Sequence, residues 1–130
     1  MEESLFTKIV KGDIPCHKVY EDDKTMAFLD IFPLREGHTL VIPKTQVEFV
    51  WDLGDEDYAA LMATVKIVAS HLRQAMPDEF VASRVVGVDV PHAHVHLIPF
   101  SDPMQLKADQ DMSGDPDHTS LAALAKTLAF

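Results

Sequence analysis

The side chains in this chain best suited to chemistry lie in Pro91–Pro99, which reads Pro-His-Ala-His-Val-His-Leu-Ile-Pro. Its histidines, His92, His94 and His96, are spaced two residues apart. A β-strand alternates faces at every residue, so this spacing predicts three imidazoles on one face and apolar side chains on the other. Neighbouring imidazoles would lie about 6.6–6.8 Å apart along the strand.

Three interpretations of this histidine face compete. The first gives the row no chemical role. The second is a metal site, since imidazole is the commonest metal ligand, but no cysteine or carboxylate stands beside the histidines at ligand spacing. The third is nucleophilic and acid–base chemistry at phosphorus, because a neutral imidazole is a good nucleophile and a protonated one can donate to a leaving group. The pattern favours the third, with no metal and no cofactor.

Length, composition and charge limit the classes of protein to which this chain can belong. A chain of 130 residues with 47% hydrophobic content predicts one globular domain. A net charge of −10 argues against a nucleic-acid polymer as partner, because a phosphate backbone needs a basic surface. No run of eighteen apolar residues predicts a membrane span. The acidic start and the single cysteine, Cys16, predict a cytoplasmic protein.

The spacing of apolar residues and the positions of turn-forming residues predict the helices and strands that must position the histidines. Short strands alternate with turn residues, and one long stretch has apolar residues at helical spacing. Together they indicate an α+β domain. The expected helices are 4–11, 55–75 and one capped by Asp115 that runs to near the end, and the expected strands are 18–21, 25–30, 38–43, 80–86 and 92–100, with a loop over 101–117.

The segment His92–Ile98 resembles the motif of the histidine triad (HIT) family, His-φ-His-φ-His-φ-φ with φ apolar, and every position matches. The resemblance also extends upstream, from Phe6 to Lys44. It implies a five-stranded antiparallel sheet with one long helix and short terminal helices. It further implies one domain over residues 1–130, with 101–130 outside the family core, and a two-fold homodimer.

The resemblance also assigns roles to four histidines. His94 matches the middle histidine, the nucleophile that takes the nucleotidyl group. His92 and His96 match the histidines that orient this nucleophile and contact the phosphate and the leaving group. The block Gly37–Lys44 is similar to one that supplies a supporting imidazole, here His38. On general grounds His38 could instead be a polar residue at the start of a strand.

The nucleoside part of a substrate has its own candidate residues. Asp30, in Phe-Leu-Asp-Ile, resembles the family's ribose-binding aspartate, and a carboxylate can accept hydrogen bonds from both ribose hydroxyls. Asp30 could also merely end a strand. The apolar positions that cradle the base in the family match residues whose spacing fits ordinary core equally well, namely Leu5, Phe6, Ile9, Phe28 and Ile31.

Two departures from the family pattern matter. Many relatives have a longer loop with polar residues before the triad, whereas this chain has Val86–Val90 with Asp89. A carboxylate aimed at a phosphate would repel it, so Asp89 should point away or bond a histidine. Some bacterial relatives bind structural zinc through Cys-x-x-Cys near the N-terminus. Here the matching residues are Ser4–Thr7, so that zinc should be absent.

These observations predict a nucleotide-binding hydrolase or transferase that acts on purine nucleoside 5′-phosphate derivatives. Phosphoramidates and dinucleoside polyphosphates fit the residues equally, because they differ only in the leaving group. The alternative class is a non-catalytic nucleotide-binding or interaction module, which the altered loop before His92 keeps open.

Overall fold

The computed structural model describes residues 2–130. Five antiparallel strands form one sheet, as predicted, and across the sheet the strands over residues 18–21, 25–29, 39–43, 95–100 and 80–84 are neighbours in that order. No helix within the described chain is long and apolar enough to cross a bilayer. The elements are α1 (Leu5–Val10), β1 (Lys18–Glu21), β2 (Thr25–Leu29), β3 (Thr39–Pro43), α2 (Asp55–Ala75), β4 (Phe80–Arg84), β5 (Val95–Phe100) and α3 (His118–Leu128), with 3-10 turns at Val50–Asp52 and Pro103–Lys107.

The central strands β2 and β3 are buried at every residue because both faces of the sheet are covered. On one face, odd-numbered strand residues pack against the long helix α2 and the C-terminal helix α3. On the other, even-numbered residues pack against the short helix α1. The first set includes Ala27, Leu29, Val41, Val95 and Leu97, and the second includes Met26, Phe28, Leu40 and Ile42 with Phe6 and Ile9 of α1.

Strand register brings the candidate residues to the α1 face. Phe28 pairs with Leu40, and Leu40 pairs with His96. Because side chains alternate along a strand, Asp30 and His38 lie on this same face, two residues along their strands from the row formed by Phe28, Leu40 and His96. The backbone N–H of Asp30 donates to the carbonyl of His38 at 2.9 Å. Residues far apart in sequence thus meet at one end of three neighbouring strands.

Strand β5 begins at Val95, so the predicted start at His92 is wrong. The His92 N–H donates to the carbonyl of Val90 at 2.8 Å, and the Ala93 N–H donates to the carbonyl of Val47 at 2.7 Å. These bonds hold the chain in a turn just ahead of the paired strand. Two of the three triad histidines therefore precede the strand, and only His96 lies within it.

The other helix and strand boundaries lie closer to their predicted positions. Strand β4 ends at Arg84 instead of residue 86. Helix α3 is capped by Asp117, whose side chain accepts from the Ser120 N–H, and not by Asp115 as expected. The other predicted cap is confirmed: the Ser4 hydroxyl accepts from the Thr7 N–H at the start of α1.

Neighbouring residues of α2 give a matched test of the core. Leu61 is fully buried in the core, whereas Met62 is 37% exposed. Leu61→Ala should lower the free energy of unfolding by about 2–5 kcal/mol, because it leaves a cavity among packed side chains. Met62→Ala should cost far less. Urea unfolding followed by circular dichroism measures both, and equal losses would contradict this packing.

Candidate active site

A cavity of about 320 Å³ opens on the α1 face of the sheet. Every residue predicted to bind the nucleoside lines it, namely Leu5, Phe6, Ile9, Phe28, Asp30 and Ile31. Of the four predicted catalytic histidines, His94 and His96 also line this cavity. His38 packs behind His96, and His92 does not line the cavity. Asp89, which was expected to point away or to bond a histidine, lines the cavity as well. The structure thus brings an apolar half, two carboxylates and two imidazoles together.

The ring of His94 has a defined orientation. Its Nδ1 lies 2.7 Å from the carbonyl oxygen of His92. A carbonyl only accepts, so Nδ1 carries the proton, and in the neutral ring the lone pair is on Nε2. The edge of Phe6 also packs against this ring, with centroids 5.2 Å apart and planes at 88°. The Nε2 lone pair of His94 is therefore held in a fixed direction.

Both ring nitrogens of His92 are bonded to protein groups. Nε2 donates to the carbonyl of Pro43 at 2.8 Å, which leaves Nδ1 as the acceptor for the Ser4 hydroxyl at 2.7 Å. The side chain is fully buried. This geometry gives the His92 ring an anchoring role, while its carbonyl orients His94. Neither ring nitrogen of His92 is therefore free to make the predicted contact with a phosphate.

A chain of hydrogen bonds fixes the tautomer of His96. The Leu34 N–H donates to Nδ1 of His38 at 3.0 Å, so the proton of neutral His38 is on Nε2. This Nε2–H donates to Nδ1 of His96 at 2.9 Å. His96 therefore carries its own proton on Nε2, where a ligand in the cavity can accept it. The centroids of the His94 and His96 rings lie 5.0 Å apart, so the Nε2 lone pair of His94 and the Nε2–H of His96 are on neighbouring rings.

Burial holds the supporting imidazoles neutral. It lowers the pKa of His38 to about 4, with a further reduction from the Arg84 charge. It also lowers the pKa of His96 to about 4, where the nearby His38 and His94 add to the effect and Asp30 opposes it. Burial lowers the pKa of His92 as well. Taking a charged ring out of water is costly, so these groups stay unprotonated in the free protein at neutral pH.

Asp30 is held by two donors at the edge of the cavity. Its Oδ1 accepts from the Phe32 N–H at 2.9 Å, and its Oδ2 accepts from the Gln110 amide at 3.0 Å. Oδ2 also lies 3.6 Å from Nε2 of His38. Burial raises the pKa of Asp30, and the two hydrogen bonds oppose that rise. The carboxylate is thus fixed in direction yet still borders open space.

Sequence reasoning missed several residues at this site. Gln110 and Met112 line the cavity from the segment after β5, which was expected to be a loop and was assigned no site residue. Nothing in their types or spacing signals this, since Gln110 meets Asp30 across 80 residues of chain. Ser4 was predicted only as a helix cap. Its hydroxyl also bonds His92, which ties α1 to the histidines.

Asp30, His38 and His96 place one ligand atom each within 4.8 Å of one another, a grouping the sequence did not predict. A metal on Nε2 of His38 would move the ring proton to Nδ1. There it would face the Leu34 N–H, a second donor. Two donors facing each other repel, so the hydrogen bonding of His38 argues against a metal ligand at Nε2. The absence of a metal stays a prediction.

The strand order and the buried histidine row define a class of small α+β proteins. The model of the HIT domain family matches residues 11–102. The chain therefore belongs to the HIT family, as the resemblance of its motif predicted. Residues after 102 lie outside the matched range.

Named relatives and a solved structure agree with this assignment. The chain is 41% identical to Protein hit of Bacillus subtilis over 75% of its own length and 71% of the relative. It is 40% identical to adenosine 5′-monophosphoramidase hnt1 of Schizosaccharomyces pombe, over 73% of this chain and 72% of that one. A crystal structure of a Hit-like protein from Bartonella henselae superposes with a TM-score of 0.80, at 29% identity, covering 97% of this chain and 94% of that one.

The neutral imidazoles predict a pH dependence of stability. His38 and His96 have a pKa of about 4 in the folded protein, against 6.5 ordinarily. Between these values the unfolded chain binds more protons, so the free energy of unfolding falls as the pH falls from 6.5 to 4. We expect a loss of about 2 kcal/mol or more between pH 7 and pH 4.5, measured by urea unfolding.

The matched control replaces both rings by Gln, which cannot titrate. The double variant His38→Gln/His96→Gln should lose less stability across the same pH interval than the natural protein loses. Asp30 acts in the opposite sense, because its pKa is raised on folding. Parallel pH profiles for the two proteins would show that these histidines titrate equally in both states.

Proposed function

We propose that this protein hydrolyses nucleoside 5′-phosphate derivatives through a nucleotide covalently attached to His94. One observation carries the proposal: the His92 carbonyl fixes the proton of His94 on Nδ1, so the Nε2 lone pair is available beside a cavity suited to a nucleoside. The apolar side chains around Phe6 would hold the base, and Asp30 would accept from the ribose hydroxyls.

In the first step, Nε2 of His94 attacks the α-phosphorus. A phosphorus–nitrogen bond forms while the bond to the leaving group breaks and its electron pair departs with that group. His96 stays neutral, because a second ring proton would lie on Nδ1 and face the Nε2–H of His38. The Nε2–H of His96, which its bond to His38 leaves available, donates a hydrogen bond to the leaving group, and the leaving group takes its proton from water, which leaves hydroxide.

In the second step, water attacks the phosphorus of the adduct. The proton that this water releases neutralises the hydroxide formed in the first step, as the bond between phosphorus and His94 breaks. The products are the nucleoside monophosphate and the regenerated imidazoles. Each displacement inverts the configuration at phosphorus, so two displacements give net retention.

The leaving group is an amine or a nucleoside polyphosphate. The name of the Schizosaccharomyces pombe relative, adenosine 5′-monophosphoramidase, supports an amine leaving group and an adenine base. Turnover of a fluorogenic adenosine phosphoramidate beside that of a diadenosine polyphosphate separates the two classes. Binding of AMP with no turnover of either would support the alternative, a non-catalytic nucleotide-binding module.

The mechanism makes a specific prediction for His94→Ala. Turnover should fall by several orders of magnitude, while AMP binding should persist because the base and ribose contacts lie elsewhere. Mass spectrometry of acid-free quenched samples should find the nucleotidyl adduct in the natural protein and not in the variant. His96→Ala should be less damaging when the leaving group needs no proton.

The stereochemical outcome provides the sharpest check. A substrate that is chiral at phosphorus should give product with retained configuration. Inversion would mean direct attack by water, and His94 would then be a general base at most.

We further infer a two-fold homodimer in the cytoplasm. Large apolar side chains stay exposed in the single chain, including Trp51 at 70% and Phe80 at 64%, and Phe80 lies on the edge strand β4. An exposed edge and apolar patches favour pairing with a second copy. Sedimentation at micromolar concentration should give twice the 14.5 kDa chain mass. A species of 14.5 kDa would contradict the dimer.

A further inference from the structure

The side chain of Gln110 enters the candidate site from a part of the chain that the family match does not include. That match ends at residue 102. The Gln110 amide nitrogen donates to Oδ2 of Asp30 at 3.0 Å and to the carbonyl of Phe32 at 2.7 Å. Its two amide hydrogens are thereby both used, which fixes the plane of the amide.

These contacts leave Asp30 with a defined set of free acceptor positions. A carboxylate has about four lone-pair positions on its two oxygens. The Phe32 N–H occupies one on Oδ1, and Gln110 occupies one on Oδ2. Each oxygen therefore keeps one open position, and a ribose presents two adjacent hydroxyls. The loop backbone and the Gln110 amide together aim the carboxylate and match its open positions to a diol.

The location of Gln110 also fits a role in substrate binding. It lines the 320 Å³ cavity together with Asp30, His94 and His96. It also lines a smaller cavity of about 170 Å³ that His38 and His96 share. Met112, two residues further along, lines the larger cavity too. The segment around Gln110 thus forms one wall of the site.

We propose that Gln110 is a positioning residue that orients the Asp30 carboxylate toward both ribose hydroxyls and so sets the preference for ribonucleotides over deoxyribonucleotides. The segment after β5 is then part of the nucleotide site. This inference rests on the proposed function, because it takes the ribose at Asp30 as given. The opposite role, in which Gln110 competes with the ribose for Asp30, predicts tighter binding when the amide is removed.

The experiment uses the full chain and measures dissociation constants for AMP, 2′-deoxy-AMP and 3′-deoxy-AMP by calorimetry. Gln110→Met keeps the side-chain length and removes both donors, and Gln110→Ala serves as a second variant. We expect both to weaken AMP binding about tenfold, the scale of a lost hydrogen bond to a charged group. The deoxynucleotides should lose less, so the preference for AMP should shrink.

Two controls separate positioning from general stability. Gln105→Ala removes a glutamine of the same segment that caps the turn at Asp102 and does not line the cavity, so the preference should be unchanged. In an Asp30→Ala background, Gln110→Met should have no further effect on the preference, because the carboxylate it orients is gone.

Each outcome separates the two proposals. If the natural protein binds none of the three nucleotides, the proposed function fails and this inference fails with it. If the natural protein prefers AMP and Gln110→Met retains that preference in full, the proposed function stands and Gln110 is only a structural tether. Tighter AMP binding by either variant would overturn positioning in favour of competition.

Discussion

Backbone hydrogen bonds decide which nitrogen of each buried histidine carries the proton, and the rest of the site depends on them. The carbonyl of His92 holds the proton of His94 on Nδ1, and the amide of Leu34 places that of His38 on Nε2. The Nε2–H of His38 in turn donates to Nδ1 of His96, so the proton of neutral His96 is on Nε2. Because main-chain groups cannot change between donor and acceptor, these tautomers follow from the fold. The lone pair of His94 and the proton of His96 are thus fixed in position before any ligand enters.

Burial on both faces of the sheet makes this arrangement effective. The odd-numbered face packs on α2 and α3, and the even-numbered face carries the histidines beneath α1. Removal from water depresses the pKa of His38 and His96 to about 4, so neither ring is charged in the free protein at neutral pH. A buried polar group is costly unless it is hydrogen-bonded, and each of these rings has its partner. The cost of burying four imidazoles is offset by these partners.

Much of this could be predicted from the sequence, because two local rules apply. Alternation along strands places Asp30, His38 and His96 on one face, and the family motif identifies the histidines. The features that the sequence could not predict depend on contacts between distant segments of the chain. The start of β5 at Val95 follows from the bond between Ala93 and Val47, and the contact of Gln110 with Asp30 joins segments with no shared pattern. The orientation of the His92 ring likewise needs Ser4 and Pro43 in place.

The charge balance of the site links binding to chemistry. The chain has a net charge of −10. Among the residues that the structure describes, no lysine or arginine lines the 320 Å³ cavity. In the proposed reaction, apolar contacts and Asp30 must therefore supply most of the affinity for the nucleoside. Arg84 lines the smaller cavity beside His38 and His96, and its charge lowers the pKa of both rings. In the larger cavity the phosphate would therefore meet neutral donors such as the Nε2–H of His96, and a hydrogen bond from this group strengthens as negative charge develops on the leaving group.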